Sequence, residues 1–382
     1  MAENNLLSIR LKFTGNEINV RATIEFSRPV KETEFILGNS FAIESIENDN
    51  YPIHWEKTGE LHPEYRSYSQ KIKISCEYPI TGFSLAYHGP LAYAGYNIIT
   101  EEIKALSWYS VWFPQDFPLN ITHDEVIIED ARDLFIVKGI FDDEKGTWHY
   151  GGSGYDQFNI IAYKKNVLHT LSNDLINIYF IEDDIGKYAD ITTKTYKDIL
   201  DFYNGFLFRQ MELPVLDIAC VSPAIKTGGA YQRKGLFFTP DLGNDDLYRT
   251  WILAHETAHN WCQGADGLTW EDWLNETTAE WASLLYALNN NNQKLFHWII
   301  DSKIERAKNY PPIKTIDGSR PQGIHEKGTI LFYEIYKKYG KEPIKKMVRG
   351  FTDLDKKNTE NFIEMIKMEI GYDVADDIIK GI

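Results

Sequence analysis

The first part of the chain alternates apolar and polar residues with a period of two, the pattern of strands that bury one face. Apolar residues alternate over 9–13 and again over 18–26, with Gly15 and Asn16 between the two runs. This spacing predicts a β-hairpin. Similar short runs at 72–76 and 83–87 predict further strands. Short strands separated by turns favour an open sheet or a sandwich.

The period changes near Asp183. Apolar residues recur at helical spacing over 189–203, and the pattern is mainly helical from Asn244 to the last residue. A chain of 382 residues is also long enough for two hydrophobic cores. We therefore predict an α+β protein with an N-terminal all-β domain over 1–183 and a mainly helical domain over 184–382.

The net charge of the chain argues against one class of binding partner, nucleic acid. Fifty-six acidic residues against 40 basic ones give a net charge of −16, which repels a phosphate backbone. We expect no nucleic-acid partner. The sequence opens without a basic patch followed by an apolar run and has no apolar stretch of about 18 residues, so we expect a soluble, cytoplasmic protein that does not engage membranes. Its three widely spaced cysteines fit reduced thiols rather than a disulfide framework.

Residues 244–264 predict an amphipathic helix with Asn244 as its N-cap. His255 and His259 are four residues apart on this helix, so their imidazoles project from the same side, one turn apart. Two neutral nitrogen ligands leave zinc Lewis-acidic, and the carboxylate of Glu256 can then deprotonate a zinc-bound water. The alternative is a pair of surface histidines beside a solvated glutamate.

A third ligand is available in the next helical segment. Glu276 and Glu280 lie at i, i+4 spacing within a run rich in tryptophan and leucine, 273–285. Glu276 can complete a three-ligand site, and Glu280 can accept the other ring N–H of a ligating histidine. The alternative, a solvated acidic face, fits poorly because unpaired charge among apolar residues is costly.

These two segments resemble the motifs of the aminopeptidase N family of gluzincin zinc metallopeptidases. The matching residues read HETAHNW at 255–261 and WLNE at 273–276. The resemblance implies that His255, His259 and Glu276 bind one zinc ion per chain and that Glu256 is the general base. Catalysis would then be peptide-bond hydrolysis.

The resemblance extends more weakly over most of the chain, including WYSVWFP at 108–114. It implies a saddle-like β-domain followed by a thermolysin-like, mainly helical α/β peptidase domain. From the resemblance, we expect that the helical domain that follows in this family is missing here. We therefore expect an open cleft, or one covered by a partner or a second subunit.

The segment that corresponds to the family's substrate strand departs from the family pattern. The family has Gly-x-Met-Glu-Asn, whereas this chain has Gly229, Ala230, Tyr231, Gln232 and Arg233. The resemblance assigns Gly229, Ala230 and Gln232 to substrate binding. Gln232 replaces the glutamate that binds the substrate's α-amine, and an amide offers no negative charge to an ammonium group.

Basic residues near this segment suggest a different preference. Lys226, Arg233 and Lys234 would favour an acidic side chain or a blocked terminus if they face the cleft. The alternative is a solvated basic loop. Aminopeptidase specificity is therefore open at this point.

His325 occupies the position of the family's transition-state tyrosine in the segment His325-Glu326-Lys327-Gly328. A histidine N–H can stabilise a developing oxyanion in the same way. The leading hypothesis is therefore a zinc metallopeptidase of aminopeptidase type that acts on peptides. The alternatives are an endopeptidase or another acyl hydrolase with the same zinc site, and a non-catalytic zinc-bearing scaffold that binds peptides.

Overall fold

The computed structural model describes residues 5–61, 69–91, 97–107, 111–115, 121–151, 159–221, 230–233, 235–239, 242 and 245–382. Within these residues, three sheets and eight α-helices are present; one helix lies between strands of the third sheet and the other seven follow it. No helix in the described part of the chain is long and apolar enough to span a membrane.

An 8-stranded sheet forms the first part, with β10-β11-β8-β1-β2-β5-β3 in order and β4 paired to β5. Its strands are β1 (Asn5–Thr14), β2 (Glu17–Gly38), β3 (Ala42–Glu47), β4 (Ile53–Leu61), β5 (Ser69–Pro90), β8 (Ile121–Glu129), β10 (Ile140–Asp142) and β11 (Thr147–Tyr150). The predicted hairpin is confirmed, since β1 and β2 pair antiparallel. On its other side β1 pairs parallel with β8.

Alternate residues of β1 are buried from Asn5 to Leu11 and Phe13 is half-buried, so this strand turns one mainly apolar face to the core, as the alternation predicts. Trp112 and Phe113, from the aromatic segment 108–114, are fully buried in the same core. The hydroxyl of Tyr87 donates to the carbonyl oxygen of Trp112 at 2.7 Å. Residues 108–110 of that segment lie outside the described residues.

A 4-stranded sheet has the order β6-β7-β12-β9, and a 5-stranded sheet has the order β13-β14-β15-β17-β16. Their strands are β6 (Ile98–Ile99), β7 (Ile103–Leu106), β9 (Leu134–Ile136), β12 (Ile160–Lys164), β13 (His169–Ser172), β14 (Ile176–Phe180), β15 (Leu216–Cys220), β16 (Tyr231–Arg233) and β17 (Leu236–Thr239). The short strand β16 is the last strand at one edge of the 5-stranded sheet.

The 5-stranded sheet crosses the predicted domain boundary at residue 183. Strand β14, which ends before that residue, pairs parallel with β15, which begins after it. A boundary between β12 and β13 would keep this sheet whole. The division into two domains stays a prediction.

The helices pack around one large core. They are α1 (Ala189–Phe202), α2 (Asp246–Ala258), α3 (Trp273–Asn289), α4 (Gln293–Ala307), α5 (Ile324–Tyr339), α6 (Lys341–Asp353), α7 (Thr359–Glu369) and α8 (Tyr372–Gly381). Helix α3 is buried on nearly every side, and Trp273 and Trp281 are fully buried on it. Apolar residues all around a helix are typical of such a central position.

Helix α2 differs from the prediction at both ends. Its N-cap is Asp245, whose carboxylate accepts from the backbone N–H groups of Leu247 and Tyr248 at 2.9 and 3.2 Å. Asn244, the predicted N-cap, lies outside the described residues. The α-helix ends at Ala258 rather than near residue 264, and His259 is its C-cap with φ −61° and ψ −13°.

Candidate metal centre

Helix α2 brings the two histidines of the HETAH segment together. Because His259 keeps helical dihedral angles at the C-cap, its ring still lies on the same side of the helix as that of His255. The two Nε2 atoms are 3.3 Å apart. Both imidazoles therefore converge on one point rather than spreading over the surface.

Glu276, in the first turn of α3, completes the convergence. Its Oε2 atom lies 3.5 Å from Nε2 of His255 and 3.5 Å from Nε2 of His259. Ligands about 2.0–2.1 Å from a tetrahedral zinc ion lie roughly 3.3–3.4 Å from one another. These three donors therefore have the types and the spacing that zinc requires, and they form the group of potential metal ligands among the described residues.

The start of α3 is fixed by its neighbours. The Asn275 side chain accepts from the backbone N–H of Ala265 and donates to its carbonyl oxygen, both at 3.0 Å. The indole N–H of Trp273 donates to Oγ1 of Thr359 at 2.8 Å. This bonding anchors two residues directly before Glu276 in the first turn of α3, where the Glu276 carboxylate meets two histidines from another helix.

Glu280, one turn after Glu276, contacts the ring nitrogen of His255 that does not face Glu276. Its Oε2 atom lies 3.3 Å from Nδ1 of His255, and its Oε1 atom accepts from the indole N–H of Trp251 at 2.6 Å. Nζ of Lys303 is 3.2 Å from the same Oε2 atom. Glu280 is fully buried and Lys303 is 4% exposed, so this is a buried ion pair that also orients the His255 ring.

The structure brings Glu280 to the ring of His255, the place that the sequence suggested for it, whereas sequence reasoning missed Lys303. The signal was present, because Lys303 follows Phe296, Ile299 and Ile300 at helical spacing on the apolar face of α4. A cation at such a position needs a buried partner. Only the fold shows that the partner is Glu280.

The electrostatics of the centre favour a cation. Burial would raise the pKa of Glu280, but the charge of Lys303 and a hydrogen bond from His255 lower it below its usual range. Burial lowers the pKa of His255, yet bonds to Glu276 and Glu280 outweigh this and raise it to about 10. Without a metal ion, the carboxylates therefore hold a proton on His255 at neutral pH, and a metal cation can take the place of that proton.

Glu256 faces the edge strand β16. Its Oε2 atom accepts from the backbone N–H of Gln232 at 2.9 Å, and both residues are buried. The sequence predicted a substrate-binding role for Gln232 through its side chain, but did not anticipate this backbone contact. Ala230 directly precedes the strand, and Gly229 lies outside the described residues.

His325 lies in the first turn of α5, and the structure brings it to the centre. Its Nδ1 atom is 3.0 Å from Oε2 of Glu276. On its other side, Nη2 of Arg320 is 3.4 Å from Nε2 of His325. Arg320, which sequence reasoning missed, has no motif of its own and lies in the loop between α4 and α5, where the neighbouring Ser319 forms an isolated β-bridge with Thr269.

Known protein structures share the fold of this chain. No protein-family model matches the chain. An M1 zinc metallopeptidase variant from Deinococcus radiodurans aligns with a TM-score of 0.64 and 14% identity, over 99% of this chain and 93% of that one. Leukotriene A4 hydrolase from Saccharomyces cerevisiae aligns with a TM-score of 0.60 and 14% identity, over 100% of this chain and 66% of that one.

The chain has the fold of the M1 zinc metallopeptidases. The fold class predicted from the sequence, an N-terminal β-rich part followed by a helical part, is thereby confirmed. In sequence, 97 residues are 32% identical to endoplasmic reticulum aminopeptidase 2 from Bos taurus. This sequence likeness spans 23% of this chain and 10% of that relative, whereas the likeness in fold extends over 99–100% of this chain.

Proposed function

We propose that the chain is a zinc metallopeptidase that hydrolyses peptide bonds. The convergence of His255, His259 and Glu276 within ligand distance of one another carries this proposal. When bound there, zinc supplies a Lewis acid that polarises a carbonyl group and lowers the pKa of a water ligand. The fold of the chain, shared with a structure named as an M1 zinc metallopeptidase, supports the same function.

Glu256 is the proton carrier in this proposal. Its carboxylate is adjacent in sequence to His255 and buried, so little bulk water competes for it. The backbone N–H of Gln232 fixes one oxygen, Oε2, at 2.9 Å, which leaves the other oxygen to accept a proton from the attacking water. Glu256 then returns that proton to the departing amine.

His325 stabilises the negative charge that develops on the carbonyl oxygen. Its ring is half-exposed and adjoins the carboxylate of Glu276, so an N–H donor lies beside the place where the substrate carbonyl must bind. Such a donor interacts most strongly once charge has developed on the oxygen. It therefore stabilises the transition state more than the bound substrate.

Specificity is proposed to differ from that of an aminopeptidase. The backbone of Gln232 holds the general base, whereas its amide side chain carries no negative charge for a substrate ammonium. We therefore expect hydrolysis of peptides with blocked N-termini as well as free ones. Gln232→Glu should shift the preference towards free N-termini.

A pooled peptide library with free and acetylated N-termini tests both statements. The wild-type protein, Glu256→Gln and Gln232→Glu are compared by mass spectrometry of the products, with the zinc content of each determined alongside. We expect cleavage by the wild type and none by Glu256→Gln, with one zinc ion per chain in both. A zinc-loaded wild-type protein that cleaves no peptide would refute the proposal and favour a binding scaffold.

A further inference from the structure

Two side chains without a role in the proposed mechanism, Asp272 and Arg320, lie beside His325. Nε of Arg320 donates to Oδ2 of Asp272 at 2.7 Å. Oδ1 of Asp272 accepts from the Asn275 side chain at 2.8 Å. Asp272 is 6% exposed, so a buried carboxylate that is itself held at two points anchors the guanidinium.

The contact between Arg320 and His325 restricts the imidazole. Nη2 of Arg320 is 3.4 Å from Nε2 of His325. A guanidinium group has N–H donors and no acceptor, so this contact is attractive only if Nε2 offers its lone pair. In a neutral imidazole the ring proton then resides on Nδ1.

The contact on the opposite side of the ring agrees with this arrangement. Nδ1 of His325 lies 3.0 Å from Oε2 of Glu276, and an ionised carboxylate can only accept. The Nδ1–H tautomer satisfies both contacts together. The Nε2–H tautomer would set donor against donor at Arg320 and lone pair against lone pair at Glu276.

The backbone also holds His325 in this place. Gly323 enters α5 with φ +72°, a left-handed conformation that favours glycine. The carbonyl oxygen of His325 accepts from the hydroxyl of Thr329 at 2.6 Å in the first turns of the helix. The backbone of His325 is thus held where its ring reaches both Arg320 and Glu276.

We propose that Arg320 is a positioning residue that holds His325 in the Nδ1–H tautomer and so keeps an N–H donor directed at the metal centre. Asp272 anchors Arg320 in this role. The catalytic consequence rests on the proposed function, because a lone pair in place of that N–H would repel the oxyanion of the reaction. The tautomer itself exists whether or not a substrate is turned over.

The tautomer can be measured directly in the zinc-loaded full chain. Histidine labelled with ¹⁵N, observed through long-range ¹H–¹⁵N correlations, shows which ring nitrogen carries the proton, and His325→Phe assigns the signal by difference. We expect the proton on Nδ1 in the wild type. Arg320→Met should give a mixture of both tautomers and lower kcat about 10- to 100-fold, with a smaller change in KM.

Two further variants separate geometry from charge and stability. Arg320→Lys keeps a cation for Asp272 but lacks the planar fork, so it should also give a mixture even if Arg320→Met unfolds. Arg306→Met is the matched control. Arg306, on α4, pairs at 3.6 Å with Glu326, which follows His325 on α5. This control should retain the wild-type histidine signals and rate.

A proton on Nε2 in the wild type would overturn the proposal, as would an unchanged tautomer and rate in both Arg320 variants. A wild-type protein with the proton on Nδ1 that hydrolyses no peptide would refute the proposed function and still support the positioning role. A changed His325 tautomer in Arg306→Met would also count against the proposal. The position of the ring proton would then depend on nearby positive charge in general rather than on the contact with Arg320.

Discussion

Gly328 determines how closely α5 approaches α3. A Cβ atom at this position would overlap Oγ1 of Thr277 and lie 3.1 Å from its Cβ. Thr277 is fully buried and follows Glu276 directly, and Gly328 lies one turn after His325. The glycine therefore sets the distance between two helices that each supply a side chain to the centre.

We expect Gly328→Ala to destabilise the protein despite the better helix propensity of alanine. Inserting a methyl group into a filled core costs about 1–3 kcal/mol. The overlap with Thr277 favours the upper part of that range. Replacing glycine by alanine within a helix contributes about 1 kcal/mol in the opposite direction. The net loss is then about 1–2 kcal/mol, or roughly 2–8 °C in Tm for a domain of 150–250 residues.

The matched background is Thr277→Ala, which removes the overlapping hydroxyl and the adjacent methyl group. Thermal unfolding of the zinc-loaded wild type, both single variants and the double variant gives the coupling between the two positions. We expect Gly328→Ala to cost at least about 1 kcal/mol less in the Thr277→Ala background. An equal loss in both backgrounds would show that the contact does not limit the helix approach.

Three other predictions concern the centre. Glu280→Gln removes the nearer of the two buried carboxylates beside Lys303 and weakens the contact with His255, so zinc affinity measured by chelator competition should fall about 10- to 100-fold; unchanged affinity would contradict the support role. The pKa of His255 in the metal-free protein is raised from 6.5 to about 10, so its stabilising effect is present below pH 6.5 and is lost as the pH rises through 10. Since zinc must displace that proton, zinc affinity should rise with pH across the same window, and a flat profile would argue against it. Burial raises the pKa of the Cys262 thiol to about 12, so a thiol reagent at pH 8 should label it only after unfolding, as peptide mapping would reveal.

The core of the candidate centre could be predicted because helical periodicity is local. The four-residue spacing of His255 and His259 determines that their rings share one side, whatever the rest of the chain does. The same spacing separates Glu276 from Glu280, and both carboxylates meet His255 as expected. The zinc-binding and catalytic roles of these residues stay predictions.

The partners that support the centre could not be predicted because they depend on tertiary packing. Arg320 and Lys303 come from a loop and a helix whose positions no local pattern fixes. The edge strand β16 could be located by resemblance, but the backbone contact of Gln232 with Glu256 depends on how the sheet meets α2. The parallel pairing of β1 with β8 has no local signal either, since parallel partners lie far apart in sequence.

That parallel pairing has a consequence during protein synthesis. Strand β1 begins at Asn5, whereas its partner β8 begins at Ile121. Ribosomes add about 5–20 residues per second, so the β8 side of β1 stays without its native partner for roughly 6–23 s. An unpaired strand edge is a template for pairing with other chains. The nascent β-sheet is therefore exposed to aggregation during this interval, and chaperones that cover strand edges should protect it there.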